Sequence, residues 1–315
     1  MQFPRYCFLF LVAFVLSFVF CFLLIPLLKK IRAGQNVLSY VKEHRKKSGT
    51  PTMGGLAFIL ASVISAFLFL PKFSRTTLVT LVVGLAYMFV GLLDDFLKLQ
   101  RKQNLGLTAK QKIVFQVLVA FFASVYAWRA GLTKITLPFL KTEFDIGWRI
   151  IPVSVFVFLA TVNCVNLTDG LDGLAAGVCA PFFLFFGIVL SENEVGLSIT
   201  SIAITGALVG YLIFNSSPAS VFMGDTGSLS LGGFAACVGV FSGGFLYIAL
   251  VGIAFVISGA SVIAQVVYFK ATGGKRIFKM SPFHHHLQQS GYSESKISYG
   301  YFALTLAMAT LCLIF

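Results

Sequence analysis

Ten stretches of this chain, near residues 8–28, 54–70, 77–93, 113–128, 150–165, 174–190, 197–214, 229–241, 245–269 and 297–315, contain no Asp, Glu, Lys or Arg. A bilayer core about 30 Å thick is crossed by roughly 20 apolar residues at about 1.5 Å each. Runs of this kind, repeated along the whole chain, force a helical membrane architecture, because a helix satisfies its own backbone hydrogen bonds in hydrocarbon. Composition agrees: with 58% hydrophobic residues, 11% charged ones and 35 Phe, too little polar surface exists to cover a soluble globule of this size. The expectation is an all-α polytopic membrane protein, a single integral domain over 1–315 with about ten transmembrane helices. The run 8–28 is longer than a signal-peptide core and lacks a small-x-small cleavage site, which makes it a retained first span. The boundary between the eighth and ninth spans rests on Ser242-Gly243-Gly244, since one helix across 229–269 would be about 60 Å long.

Lys and Arg give the orientation. With both termini external, the loops at 29–53, 94–112, 166–173, 215–228 and 270–296 share one side and hold 17 of the 24 basic residues. The positive-inside rule makes that side cytoplasmic. The net charge of +13 therefore lies in loops between spans, where membrane lipid headgroups or an anionic substrate are the expected partners and nucleic acid is not. The six cysteines are scattered through apolar segments without metal-ligand or disulfide spacing, as small buried hydrophobes are. The external segment 131–149 has short strand-like pieces and is expected to form a small hairpin.

Five of the six aspartates fall in three clusters on the cytoplasmic side: Asp94-Asp95, Asp169 with Asp172, and Asp225. Carboxylates at the ends of apolar helices are costly near a bilayer unless they pair or bind a cation. For Asp94-Asp95-x-x-Lys98 the bland alternative is an i,i+4 pair worth a few tenths of a kcal/mol, but two acids at a helix C-terminus oppose the macrodipole. Asp169 and Asp172, in Asn166-Leu-Thr-Asp-Gly-Leu-Asp-Gly173, are expected on one face of a helix start, where capping is an equal alternative. Gly224-Asp225-Thr226-Gly227-Ser228 is expected to open a helix whose amides suit phosphate, although the same residues also suit an ordinary turn. His284, His285 and His286 are three of only four histidines. Consecutive side chains diverge, so they are expected to donate to phosphate oxygens rather than to hold one metal, with a solvated basic loop as the alternative. Lys47, Lys98, Lys110 and Lys112 lie around these motifs and could equally meet headgroups. Hard carboxylates without cysteine suit Mg²⁺ or Mn²⁺. The ensemble fits a metal-assisted phosphoryl transfer from a soluble diphosphate to a membrane acceptor.

At these residues the chain resembles the phospho-N-acetylmuramoyl-pentapeptide transferases. The likeness runs over its full length through Lys47-Ser-Gly-Thr-Pro-Thr-Met-Gly-Gly55, Gly91-Leu-Leu-Asp-Asp-Phe-Leu-Lys98, Asn166 to Gly173, Phe222-Met-Gly-Asp-Thr-Gly-Ser228 and Ser281-Pro-Phe-His-His-His-Leu287. The resemblance implies that UDP-MurNAc-pentapeptide and undecaprenyl phosphate react, with Mg²⁺, to give lipid I and UMP at the cytoplasmic face of the bacterial inner membrane, in a homodimer. It implies Asp225 as the magnesium ligand and Asp94 and Asp95 as the acidic catalytic pair, with His284, His285 and His286 at the same cleft. Lys47, Gly170, Leu171, Asp172 and Phe222 would line the uridine pocket, while Thr52, Asn166, Asp169, Asn215 and Gln265 complete the nucleotide-sugar site and Lys98 and Lys110 contact substrate. Two other readings remain at this point: a sibling transferase using UDP-N-acetylglucosamine, which shares the aspartates but should lack the Pro-Phe-His-His-His run, and a membrane transporter.

Overall fold

The computed structural model describes residues 2–31, 49–71, 74–101, 105–140 and 142–314. Among them twelve helices follow in order: α1 Gln2–Lys30, α2 Gly55–Phe69, α3 Arg75–Arg101, α4 Ala109–Arg129, α5 Ile150–Thr168, α6 Leu174–Val189, α7 Val195–Asn215, α8 Gly224–Phe241, α9 Phe245–Val251, α10 Ile253–Ala271, α11 Phe283–Gln288 and α12 Glu294–Ile314. The expected hairpin is present between α4 and α5, where β1 Lys134–Thr136 pairs antiparallel with β2 Glu143–Asp145 in the register Ile135↔Phe144.

Each of the ten apolar runs is helical, nine of them on one helix and the run 245–269 on two. Seven of the described helices, α1, α3, α4, α5, α7, α10 and α12, are long and apolar enough to cross a membrane. The shorter apolar helices α2 and α6 have 15 and 16 residues, or about 23 Å at the standard rise. The turn at Ser242-Gly243-Gly244 separates α8 from α9 as expected, but the run after it is not one helix. Gly252, at φ −87° and ψ 30°, leaves the helical region and splits it into α9 and α10, a break that glycine's weak helix propensity permits.

Helix α8 is the hub. It is buried from Thr226 to Phe241 and packs on α3, α5 and α2, whereas α1, α4 and α12 turn residues such as Phe8, Phe122 and Ile314 outward, as lipid-facing helices do. Without a hydrophobic driving force between helices in lipid, close backbone approach does the packing. A Cβ on Gly91 of α3 would lie 2.1 Å from the Asp225 carbonyl oxygen, and one on Gly55 of α2 would lie 2.3 Å from Gly227 Cα. These two glycines bring the C-terminal part of α3 and the start of α2 against the first turn of α8. Asp95 follows Gly91 by one helical turn, so it shares the face turned toward α8.

The bundle has two distinct ends. At one, Thr136 of the hairpin donates its amide to the Gly243 carbonyl in the α8–α9 turn. At the other meet the C-terminal part of α3, the starts of α4, α8 and α12, the α5–α6 turn and α11. All described motif residues sit there.

Candidate active site

Asp95 holds the start of α8. Its Oδ1 accepts the Asp225 amide at 3.2 Å, and its Oδ2 accepts the Thr226 amide at 3.0 Å and the Thr226 hydroxyl at 2.7 Å. A carboxylate on the amides of a helix N-terminus is doubly favourable, through hydrogen bonds and the macrodipole. The expectation that this helix start serves phosphate meets a prior occupant: two of its first three amides, those of Asp225 and Thr226, are already taken by a buried carboxylate from α3.

Asp94, also buried, accepts the Leu107 amide at 2.8 Å on Oδ1 and meets Lys98 Nζ at 2.6 Å on Oδ2. The local i,i+4 pair foreseen as the bland alternative thus forms, but it is not confined to α3. The same Nζ lies 2.7 Å from Asp225 Oδ2 and 3.8 Å from Asp95 Oδ1. Asp225 is held further by Lys112 Nζ at 3.0 Å and by Asn166 Nδ2 at 2.6 Å, and Asn166 also reaches Ser228 Oγ at 2.8 Å. Lys112 is aimed by a capping box: Thr108 and Gln111 exchange side-chain and backbone hydrogen bonds at the start of α4. Lys110, two residues earlier, is exposed, so the structure brings Lys112 to Asp225 rather than Lys110.

Asp94, Asp95 and Asp225 offer carboxylate oxygens within 4.8 Å of one another. Three hard donors at that spacing fit Mg²⁺ or Mn²⁺. The Lys98 ammonium, within salt-bridge distance of all three, stands in for such a cation and marks where positive charge is favoured.

The α5–α6 connection differs from its expectation. Asp169 and Asp172 do not share a face of a helix start: Asp169 caps the C-terminus of α5, and α6 begins only after Gly173, whose φ of 72° lies in the left-handed region. Asp172 Oδ2 accepts the Ala219 amide at 3.0 Å, while Asn215 accepts the Gly173 amide at 3.2 Å and donates to the Val221 carbonyl at 2.9 Å. Together these residues pin the segment joining α7 to α8. The Asp169 carboxylate accepts no hydrogen bond among the described residues. Burial first, then the negative charges of Asp225, Asp95 and Asp172, push it up to about 8.

Phe222 is tied through its backbone to the segment before α2, donating to Pro51 and accepting from Gly54, and its ring is partly exposed. Thr52 Oγ1 comes within 2.7 Å of where a Cβ on Gly224 would lie. Lys47 falls outside the described residues. Leu171 is buried. Gln265 of α10 accepts the Ile277 and Phe278 amides at 3.1 and 3.0 Å, so it braces the loop leading to the histidines.

The histidines diverge as expected. His286 Nδ1 accepts the Lys279 amide at 3.1 Å, and its ring lies beside Phe278 and Phe283. His285 Nδ1 meets Gln288 Oε1 at 3.1 Å. His284 is completely buried, neither ring nitrogen has a hydrogen-bond partner, and burial followed by the neighbouring His285 pushes its pKa down to about 3. A Cβ on Gly170 would lie 2.3 Å from His284 Nε2 and 3.0 Å from His285 Nε2. Only a glycine lets these two rings close over the α5–α6 turn. None of the three belongs to the group of possible metal ligands.

Thr226, Gln288 and Glu294 were not among the residues expected from sequence to form the site, and Lys112 was expected only as one of four lysines around the motifs. For Lys112 a signal existed in Thr108-x-x-Gln111, a capping-box spacing that sets the first turn of α4. The contact of Asp95 with Thr226 spans 131 residues and left no local trace.

Known proteins resemble the chain over nearly its whole length. A model described as glycosyl transferase family 4 matches residues 77–243, and signature 1 of the phospho-N-acetylmuramoyl-pentapeptide-transferases matches residues 47–59. The chain is 46% identical to a phospho-N-acetylmuramoyl-pentapeptide-transferase of Thermoanaerobacter sp. (strain X514) over 297 residues, 94% of this chain and 93% of that protein. It is 41% identical over 307 residues to the protein of that name from Bacillus subtilis (strain 168), covering 96% and 94%. With its counterpart in Listeria innocua it shares 42% identity over 313 residues, 97% of each chain.

Proposed function

The chain belongs to the phospho-N-acetylmuramoyl-pentapeptide transferase family, and from that membership we infer that it catalyses the first membrane step of peptidoglycan synthesis, making lipid I from UDP-MurNAc-pentapeptide and a lipid phosphate. The acceptor is undecaprenyl phosphate, the metal is Mg²⁺, the enzyme works as a homodimer, and the end of the bundle carrying the motifs faces the cytoplasm of a bacterial inner membrane. The count of basic residues supports that orientation. The observation that carries the chemistry is the triad of Asp94, Asp95 and Asp225 gathered around one ammonium.

Asp225 is the principal metal ligand, with Asp94 beside it. Mg²⁺, when bound, would offset diphosphate charge and the charge developing on the departing UMP. Asp95 keeps the first turn of α8 in place and so fixes the backbone that carries Asp225. Lys98 and Lys112 hold the Asp225 carboxylate in the free enzyme and turn to phosphate oxygens once donor and metal are bound. His284 and His285, over Gly170, face the diphosphate from the other wall, and Asp169, Asp172, Asn166 and Asn215 shape the turn beneath the nucleotide.

The lipid phosphate attacks the sugar-bearing phosphorus directly and in line. A phosphate monoester has its second pKa near ~6 and is mostly dianionic at neutral pH, so removing its last proton contributes at most about 1 kcal/mol. Asp94 therefore serves position rather than proton transfer. Trapping a phosphorylated protein in the absence of lipid acceptor would overturn this route.

The decisive assay supplies purified protein, undecaprenyl phosphate and Mg²⁺ with either UDP-MurNAc-pentapeptide or UDP-N-acetylglucosamine, and follows UMP release. Release with the first donor and not the second is expected. Release with the second alone would move the chain to the sibling activity, and release with neither would reopen transport.

A further inference from the structure

Three side chains, His285 and Gln288 of α11 and Glu294 of α12, join in a chain of hydrogen bonds that ends on the Asp172 backbone amide. His285 Nδ1 meets Gln288 Oε1 at 3.1 Å, Gln288 Nε2 donates to Glu294 Oε1 at 3.1 Å, and Glu294 Oε2 accepts the Asp172 amide at 3.3 Å. The Asp172 carboxylate in turn accepts the Ala219 amide, and its carbonyl accepts Ser298 Oγ of α12 at 3.0 Å. Gln288 is buried, with 7% of its surface exposed.

The polarity of this chain follows from which groups only accept. An ionised carboxylate has no hydrogen to give, so Glu294 must receive from the Gln288 amide nitrogen. That fixes which way the Gln288 amide points and leaves its carbonyl oxygen toward His285. A carbonyl also only accepts, so the ring must donate from Nδ1. In the neutral ring Nε2 is then the unprotonated nitrogen, and Nε2 is the atom that lies 3.0 Å from the Cβ position of Gly170. The far partner of a histidine is the usual means of setting its tautomer and orientation.

We propose that Glu294, acting through Gln288, is a positioning residue that sets the ring tautomer of His285 and so decides which nitrogen His285 presents over Gly170. The geometry has a second consequence. Glu294 lies in the first turn of α12, where a carboxylate is favoured by the helix dipole, and the same residue ties α12 to the α5–α6 turn through the Asp172 amide. One carboxylate therefore sets both the floor, at Asp172, and the wall, at His285, of the Gly170 corner. The link from this corner to donor binding rests on the reading of the site given above.

Glu294→Gln reverses the polarity. The substituted amide would accept the Asp172 amide on its oxygen and donate from its nitrogen, so the Gln288 amide must turn its carbonyl toward position 294 and its nitrogen toward His285. His285 Nδ1 then becomes an acceptor and the proton moves to Nε2. The double variant Gln288→Glu with Glu294→Gln restores the original sense, because the carboxylate at position 288 accepts from both neighbours.

The test has a spectroscopic and a kinetic arm. Ring-nitrogen resonances of isotope-labelled histidine, assigned by difference with His285→Gln, are recorded at alkaline pH where neutral rings predominate. The wild-type protein is expected to carry the His285 proton on Nδ1, Glu294→Gln on Nε2, and the double variant on Nδ1 again. In parallel, Glu294→Gln is expected to raise KM for UDP-MurNAc-pentapeptide about 10-fold with little change in kcat, the scale of losing an outer hydrogen-bond partner, and the double variant to recover it. A proton on Nε2 in the wild-type protein, or a tautomer that Glu294→Gln does not move, overturns the proposal. If Glu294→Gln fails to fold, the wild-type spectrum still decides it. A tautomer switch with unchanged KM overturns the link to donor binding, and with it the Gly170 corner as donor seat, while UMP release by the wild-type enzyme tests the overall activity separately.

Discussion

Two sides of the same end of the bundle, here called walls, are prepared in opposite ways. On the α3–α8 wall Asp94, Asp95 and Asp225 all have partners, and one lysine reaches all three. On the other, His284 is wholly buried with both ring nitrogens unpaired, while the half-buried Asp169 carboxylate accepts no hydrogen bond among the described residues. Unpaired buried polar atoms each cost about 1–3 kcal/mol, a cost that a bound ligand relieves. On the function proposed above, the first wall is a cation site whose place the Lys98 ammonium holds, and the second presents polar groups to the nucleotide sugar. A metal would then exchange with a tethered ammonium on one side, while the donor would supply missing partners on the other.

The largest effect is expected where the placeholder is densest. Asp225→Asn keeps an acceptor for Asn166 but removes the charge shared by Lys98 and Lys112, and UMP release should fall by at least about 10²- to 10³-fold, the scale of losing one preorganised electrostatic group. Membrane insertion and purification should be normal. Near-normal Mg²⁺-dependent turnover would remove Asp225 from the metal site.

Lys98→Met tests the exchange itself. Without the ammonium the three carboxylates repel one another, so the variant should melt lower than wild type in the absence of divalent metal and gain more from added Mg²⁺, because the ion no longer competes with a tethered cation. Equal Mg²⁺-induced shifts in both proteins would show that Lys98 and the metal do not share a position.

How much of this contrast the sequence revealed depends on distance along the chain. The apolar runs, the hairpin between α4 and α5, the turn at Ser242-Gly243-Gly244 and the divergence of the three histidines are local and were legible. So was the gathering of the motifs at one end, because helices alternate direction. The capture of the α8 amides by Asp95 depends on the packing of α3 through Gly91, a tertiary contact without a sequence period. Likewise Asp169 and Asp172 do not share a helix start because α5 runs on to Thr168 and α6 begins only after the left-handed Gly173, a conformation that the residue type allows but does not require.

Gly170→Ala probes the opposite wall. Its methyl carbon would sit 2.3 Å from His284 Nε2, so the ring must move or the turn must shift, at an expected cost of about 1–3 kcal/mol. KM for the nucleotide sugar should rise about 10-fold or more, since about 1.4 kcal/mol is a factor of ten. Unchanged KM and stability would mean that the corner is loose and that the contrast between the walls is overstated.

His284 adds a pH signature. In the unfolded chain it takes up a proton near 6.5, in the folded protein only near 3. Between those values the unfolded state binds more protons, so this residue's contribution to stability is whole above about 6.5 and is lost progressively as pH falls toward 3. The melting temperature of His284→Gln should therefore fall less between about pH 6.5 and 4 than that of wild type. Parallel declines would mean that a proton reaches the wild-type ring without unfolding, and the corner would not be closed.

The smallest expected effect separates two lysines that sequence alone leaves side by side. Lys110 and Lys112 both belong to the first turn of α4, but the capping box of Thr108 and Gln111 fixes that turn so that Lys112 Nζ reaches Asp225 at 3.0 Å while Lys110 is exposed. Residues two apart on a helix face different directions, so one turn cannot deliver both to the cleft. Substitution of an exposed lysine changes free energies by about 0.5 kcal/mol or less, and Lys110→Ala should keep kcat/KM within about 2-fold. Lys112→Ala should cost much more, and part of the loss should return in Lys112→Arg, which keeps the charge. A large loss from Lys110→Ala with little from Lys112→Ala would mean that α4 turns when substrate binds, and the cation-filled wall would then be a property of the free enzyme alone.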